Sequence, residues 1–491
     1  MDIILFNPAP RSGWQAQKRV ELPLNLLSPA TPLDRQGYRI KIIDEYANPG
    51  WKKELSEALK EKPVCFGVTS MTGPQILHAL EGAKLVKKTY PDVPVVWGGI
   101  HASLMPAQTL ANPYVDVVVQ GEGEETFEKL VKALETNTPL SRVAGIWYKE
   151  NGKILSTGEG PLFNLEKQAP LSYHLVDMKR YRRRLFGIDH VSFNSSRGCA
   201  FRCKFCWDPV MHRRKWRAMK PEAVLDQLKR IIRDYGLRGF LFTDDNFFGD
   251  LERGRRILEE IVRADLGISI SKVQARVDTI CKMDDDFLKL LVRAGVKRLA
   301  IGVESGSPRL LDLLQKDIAL NDVIEANRRL IPYPIVPLFL FMMGLPTETL
   351  QDFRQSIALA TQLTDENPMA VKTFNIYTPY PGTELYRTVL RMGLKEPQRL
   401  EEWASFNWRN ILEETPWIDP QIRPFIETLD FSLMFLGKGH FVTPYKKTNP
   451  LVVALARLYY PLARYRVKHL EARFPVESRL AKALGLFARQ D

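Results

Sequence analysis

The chain has 491 residues, 45% hydrophobic and 26% charged, with no low-complexity tract and no fixed-period repeat, which excludes a disordered, fibrous or solenoid protein and implies two or three globular domains. Its formal net charge of +13 is uneven, because the stretch from Lys446 onward holds ten Lys and Arg against three Asp and Glu. Five cysteines, three of them within eight residues, suit metal ligation in a reducing compartment and not a disulfide framework.

The N-terminus, MDIILFNPAP, lacks the basic start and cleavable apolar core of a signal peptide, so a cytoplasmic protein is expected. The longest apolar stretches, such as IVPLFLFMMGLP, fall short of the roughly 20 residues that span a bilayer. Five short apolar runs follow one another in the first 125 residues: DIILFNP, YRIKIIDE, PVCFGVTSM, VPVVWGGIH and VDVVVQGEGE. Helical stretches such as KKELSEALKEK separate them, and this alternation is that of a doubly wound, Rossmann-like parallel sheet over residues 1–140. Ligands of such sheets lie beyond the carboxyl ends of the strands. There the sequence places Asn7, Ser70, Met71, Thr72, Gly98, Gly99, His101, Gly121, Glu122 and Gly123.

Residues 141–189, with GIWYK and the basic KRYRRR, read as a linker. A second alternation runs from 190 to 400: HVSFNSSRG, GFLFTDDNF, SKVQARVD, RLAIGVES, PLFLFMMGLP and VKTFNIYTPYPGT. Six strand–helix units predict a partial (β/α)6 barrel with its chemistry at the carboxyl ends of the strands. Residues 401–491 read as a mainly helical region. In it Leu451, Leu455, Leu458, Leu462 and Tyr465 fall on one helical stripe, among Arg457, Arg464, Arg466 and Lys468. That stripe either packs on the barrel or rests on an anionic bilayer.

The chemistry is concentrated in RGCAFRCKFCW, where Cys199, Cys203 and Cys206 follow a strand with three and then two residues between them. A 4Fe-4S cluster takes four thiolates, so three leave one iron open to another ligand. A structural zinc site would want a fourth Cys or His, and the nearest, His212, lies in the basic loop HRRKWR. Cys65 and Cys281 read as packing residues.

On these residues the chain resembles the radical S-adenosylmethionine (SAM) superfamily, whose open iron holds SAM. TDDNF, QARVD, IGVESG, MGLPTET and YTPYPGTELY follow in the family's order. The resemblance implies SAM contacts from Phe205, Asp244, Arg276, Gly302, Glu304, Ser305 and Gly344, and substrate contacts from Asp245, Asn246, Tyr377, Tyr380 and Glu384. VTSMTG, WGGIHASLMP and VVVQGEGEETF resemble the cobalamin-binding domain of the anaerobic tetrapyrrole cyclase-like and methyltransferase-like branch. The Asp-x-His-x-x-Gly motif of other cobalamin domains does not occur, so no lower-axial histidine is expected from it; His101 either faces the corrin or is a hydrogen-bonded loop histidine.

The resemblance implies a 4Fe-4S cluster, SAM and cobalamin as cofactors, an electron donor such as flavodoxin or ferredoxin, and radical methylation of an unactivated carbon in a small hydrophobic or lipid-like substrate. Ring formation, carbon–carbon coupling or oxygen insertion on the same cofactors stays open as the alternative. A cobalamin sensor with an inactive barrel is disfavoured by the intact cysteine loop. A tRNA methylthiotransferase would need more cysteines in the front domain, and no nucleic-acid partner is expected.

Overall fold

The computed structural model describes residues 1–9, 20–406, 415–435, 450–473 and 476. In the front domain the strands β1 (Ile3–Asn7), β2 (Ile40–Asp44), β3 (Cys65–Thr69), β4 (Val95–Gly98) and β5 (Val117–Val119) are parallel and lie in the order β2-β1-β3-β4-β5. Helices cover both faces, which is why these strands are near-continuous apolar runs with no polar alternation. The step from β1 out to β2 on one side and to β3 on the other makes a switch point, so the strand ends there open into a crevice.

The expected boundary at residue 140 falls too early. Two antiparallel strands, β6 (Ile146–Glu150) and β7 (Lys153–Ser156), extend this sheet beyond β5. GIWYK, assigned to the linker from the sequence, is β6; its Ile146 and Tyr148 alternate inward at a period of two. At the linker's other end, Arg183–Leu185 forms an edge strand, β8, antiparallel to the first barrel strand.

The barrel strands β9 (Ile188–Phe193), β12 (Gly239–Phe242), β13 (Ser269–Ala275), β14 (Arg298–Glu304), β15 (Val336–Met343) and β16 (Val371–Ile376) are all parallel, in linear order from β8 to β16. The sheet is an open half-barrel of six strand–helix units. Local sequence sets the helix ends: Pro221 opens Pro221–Tyr235 and Gly236, at φ +67°, closes it, while Thr349 and Asp352 form a reciprocal capping box on Leu350–Glu366. Between β9 and β12 a two-stranded ribbon, β10 (Ser196–Arg197) against β11 (Arg217–Ala218), forms the neck of the cysteine loop.

After the barrel the chain turns back onto the front domain. Gln108 Nε2 donates to Pro397 O at 2.6 Å, Asn112 Nδ2 donates to Glu401 Oε1 at 2.8 Å, and the Trp403 ring packs 5.4 Å from His101. The helix Arg423–Met434 packs against the helix Pro450–His469. That helix buries Ala456, Ala463 and Val467 and leaves Leu458 78%, Leu462 47% and Tyr465 55% exposed. Leu458, Leu462 and Tyr465 of the apolar stripe are therefore turned away from the barrel. The side chains of Leu451 and Leu455, the stripe's first two members, lie outside the described residues.

Candidate active site

The cysteine loop is held at its neck and at its middle. Gly198, at φ +82°, passes so close to Lys215 O that a Cβ would lie 2.3 Å from it, so only glycine fits at the start of the loop. Further in, Lys204 N–H donates to Leu314 O and Lys204 O accepts from Leu385 N–H, each at 3.0 Å. These bonds tie the loop to the helices Pro308–Leu314 and Glu384–Arg391. Cys199, Cys203 and Cys206 are half-buried and near enough to act on one another electrostatically. Burial pushes all three thiols above their ordinary range, Cys199 up to about 11. Three clustered thiols that resist ionisation need a cation to become thiolates, and a cationic iron–sulfur core supplies it. The donor set therefore fits a cluster with one open iron.

Beside the loop the ends of β13 and β14 deliver Arg276 and Glu304. The Arg276 guanidinium lies 3.4 Å from the centroid of Phe201, donates from Nε to Asp278 at 3.0 Å and from NH2 to Lys316 O at 3.1 Å. Glu304 sits at φ +69°, a conformation that costs a non-glycine residue energy and that is found where function requires it. Its Oε1 accepts from Lys316 Nζ at 2.8 Å, and both side chains are about nine-tenths buried. A Cβ on Gly302 would lie 2.5 Å from Glu304 Oε1 and 2.7 Å from Lys316 Nζ, so the glycine is what lets this ion pair form. Lys316 Nζ lies 5.9 Å from the Phe205 ring. Burial opposes the charge on Lys316, and Glu304 together with Cys203 more than offsets it, holding the ammonium above its usual range.

Other expected SAM contacts have prior duties. Asp244 Oδ1 accepts from Ser195 N at 3.1 Å, Ser195 Oγ at 2.7 Å and Ser196 Oγ at 2.6 Å, bracing the strand that leads into the loop. Ser305 Oγ accepts from Ser307 N–H at 3.1 Å and meets Ser356 Oγ at 3.1 Å. Gly344 N–H donates to Glu348 at 2.7 Å and its carbonyl accepts from Trp417 Nε1 at 2.9 Å, under the side chain of Ile418. These three shape the site through its backbone.

Of the expected substrate residues, Asn246 and Tyr377 are buried at strand ends, with Asn246 Oδ1 and Tyr377 OH unpartnered among the described residues. Tyr380 stands beside Cys206. Asp245 Oδ2 accepts from Gly198 N–H at 3.1 Å. Glu384 is a correction: it opens the helix Glu384–Arg391, is 62% exposed and pairs with Lys204 at 3.6 Å, so it braces the loop from outside.

The front domain reaches the same region through the helix Gly99–Leu104 that follows β4: a Cβ on Gly382, after β16, would lie 3.5 Å from Val210 of the cysteine loop and 3.6 Å from Leu104. On this edge a Cβ on Gly98 or Gly121 would meet open space, and Met71 is 44% exposed, which leaves a shallow cradle fit for a flat macrocycle. Ser70 Oγ is unpartnered among the described residues, and Asn7 donates to Asp44 at 2.9 Å. Gly99, at φ +89°, packs so tightly on Thr69 and Ser70 that no side chain fits there.

His101 is fully buried under Trp403 and bonded through Nδ1 to Thr72 Oγ1 at 3.0 Å, and desolvation pushes it down to about 3, which fits the hydrogen-bonded of its two readings. Glu122 is a correction: it is occupied by Arg217, His212 and Phe163 N–H. Sequence reasoning missed Lys316, Arg197, Arg217 and Asp208; the last is buried beside Asp245, and desolvation with that neighbouring charge raises it to about 7.

The comparisons with known proteins match this geometry. The radical SAM superfamily model matches residues 193–360 and the B12 binding domain model matches residues 18–131. An uncharacterized methyltransferase of Pyrococcus horikoshii is 31% identical over 415 residues, which are 83% of this chain and 86% of that protein. The chain belongs to the radical SAM superfamily, in the branch with a B12-binding domain. The anaerobic magnesium-protoporphyrin IX monomethyl ester cyclase of Cereibacter sphaeroides is 26% identical over 85% of this chain and 67% of that protein. The solved structure of the cobalamin-dependent SAM radical enzyme OxsB, with aqua-cobalamin and SAM bound, shares the fold at a TM-score of 0.74 and 19% identity, over 99% of this chain and 75% of that one. The radical SAM enzyme described here therefore uses a 4Fe-4S cluster, SAM and cobalamin. No helix among the described residues is long and apolar enough to cross a membrane.

Proposed function

We propose that this enzyme methylates an unactivated carbon of a small hydrophobic substrate, with two molecules of SAM consumed per turnover. The observation that supports the reading is the approach of three segments at Gly382: Val210 beside the cysteine loop, the segment after the last strand of the half-barrel, and Leu104 at the end of the helix Gly99–Leu104 that follows β4 of the front domain. When bound, the cluster supplies the electron that cleaves one SAM to methionine and a 5'-deoxyadenosyl radical, and cobalamin carries the methyl group of the other. The substrate C–H bond breaks, its hydrogen ends in 5'-deoxyadenosine, and a C–CH3 bond forms. The other products are methionine and S-adenosylhomocysteine. Two electrons from a low-potential donor such as flavodoxin or ferredoxin balance the two sulfonium charges lost.

The chain's own residues bind and orient. Cys199, Cys203 and Cys206 hold three irons; Arg276, Phe205, Gly302 and Glu304 offer a cation, a ring, a close backbone approach and an acceptor for a zwitterionic nucleoside. Gly98, Gly121, Met71 and Ser70 carry the corrin. Buried Tyr377 and Asn246 and half-buried Tyr380, with Trp417 6.2 Å from Tyr377, make a largely aromatic site that excludes water from a radical. SAM labelled in its S-methyl group tests the reaction, and the label is expected in product at one equivalent per 5'-deoxyadenosine. Product formed without label would favour cyclisation or coupling on the same cofactors, the chemistry suggested by the similarity to the cyclase.

The helix Pro450–His469 supports a substrate met at a membrane surface. Its exposed Leu458, Leu462 and Tyr465 lie at helical spacing with Arg457 and Lys468 exposed beside them, in a segment of +7 charge, the composition of an interfacial helix on anionic lipid. The chain is expected to sediment with anionic vesicles, several-fold less at 0.5 M salt, and with Leu458→Glu and Leu462→Glu together it is expected to stay in solution. Equal sedimentation of this variant would sink the membrane contact.

A further inference from the structure

Where the two domains meet, buried charges gather around the neck of the cysteine loop. β10 and β11 are antiparallel, and their register sets Arg197 directly opposite Arg217. Like charges directly opposite each other on a ribbon repel, so this neck does not close well alone. The front domain resolves the conflict. Glu122, at the start of the helix Gly123–Glu135, receives Arg217 NH1 at 2.7 Å and NH2 at 2.9 Å and lies 3.8 Å from Arg197 NH1. It also meets His212 Nδ1 at 3.2 Å and accepts from Phe163 N–H at 2.6 Å. Glu124, two residues on, takes Arg197 NH2 at 2.7 Å. Both carboxylates are about 95% buried, and burial works against the charge on Glu122 while the bonds from His212 and Arg217 overcome it and hold that carboxyl far below its usual range.

We propose that Glu122, Arg197 and Arg217 form a positioning clasp that locks the front domain onto the neck of the cysteine loop and thereby sets the separation and orientation of corrin and cluster. Arg197 is two residues before Cys199, and Glu122 follows Gly121 on the cradle edge, so the clasp joins a residue beside one cofactor site to a residue beside the other. A bidentate Arg–carboxylate pair fixes angle as well as distance. The clasp acts through the groups it joins, and small misplacements between reacting groups are costly, about 100-fold in rate for 1 Å. The inference rests on the two-cofactor reading, not on the identity of the substrate.

The test uses the reconstituted holoenzyme and the Glu122→Gln variant, which keeps shape and removes charge. The first readout is magnetic: relaxation of the cob(II)alamin electron-spin signal by the reduced cluster reports their separation without turnover. A single relaxation rate is expected in the native enzyme and a broad spread in Glu122→Gln, with Glu122→Asp restoring most of the uniformity because it keeps the charge. The second readout is partition: with labelled SAM, 5'-deoxyadenosine formation is expected to fall less than twofold in Glu122→Gln, while label reaching the corrinoid fraction falls at least tenfold. Unchanged relaxation and partition, or an equal fall in both activities, would overturn the clasp. If Glu122→Gln fails to fold, Arg217→Lys carries the same comparison, since one amine cannot replace the two-point contact. Absence of label from the corrinoid of the native enzyme would overturn the methyl-transfer reading, and the magnetic readout would still decide the clasp.

Discussion

Alanine at any one of Cys199, Cys203 or Cys206 abolishes 5'-deoxyadenosine formation, a loss of about 4 kcal/mol of transition-state stabilisation or more, roughly a thousandfold in rate. The expectation is sharp because the three thiols divide the work unequally with the rest of the fold. The loop does not need the cluster to hold its course: Lys204 is bonded on one side to Leu314 and on the other to Leu385, and Gly198 is seated under Lys215. The variants should therefore keep native circular dichroism and still bind cobalamin, with iron and acid-labile sulfide near background. Acidity provides a second check. Burial raises all three thiols, so taking up iron must displace protons, and reconstitution of the native chain is expected to become more complete as pH rises from 7 to 9. Iron retained at the native level in Cys203→Ala would show that another residue completes the site and that the assignment of ligands is wrong.

The parts legible in the sequence were those carried by local signals. Apolar runs such as CFGVT and GFLF, each bounded by turn residues or helix starts, mark parallel strands without ambiguity, and the CxxxCxxC spacing states its chemistry. The boundary at residue 140 failed because β6 is half exposed and its strand character rests on pairing with β5 across 25 or more residues, which no window reveals. Glu122 was placed correctly at a strand end but given the wrong face, and His101 was left between two readings. What buries His101 is Trp403, about 300 residues later, and what claims Glu122 is Arg217, 95 residues later. A basic loop such as HRRKWR reads as solvated when alone; next to two buried carboxylates Arg217 becomes an internal counter-charge, with His212 Nδ1 3.2 Å from Glu122 beside it. The choice left open for the tail has the same origin, because the side of a helix that packs is decided by its neighbours.

Lys316 shows the consequence most clearly, since it follows a helix in the unremarkable stretch LLQKD and yet lies at the centre of the site. Replacing it with Met is expected to destabilise the enzyme by about 3–5 kcal/mol, because Glu304 would remain buried and charged without a partner. The companion change tests the cause. With Glu304→Gln added, no charge is left behind, and the double variant should recover most of the lost stability even though it has one more substitution. Anaerobic denaturant titrations of the four proteins in the cycle measure the coupling, which is expected to exceed 1 kcal/mol. SAM binding should respond in the opposite pattern. The positively charged Lys316 and the Glu304 acceptor face the loop together with Arg276, so the double variant, stable again, should bind SAM at least tenfold more weakly than the native enzyme. A double variant as unstable as Lys316→Met would mean that lost packing of the lysine stem against Phe205, and not the unpaired carboxylate, sets the cost. A double variant that is stable and binds SAM normally would remove both residues from the cofactor site and leave Arg276 as its principal polar anchor.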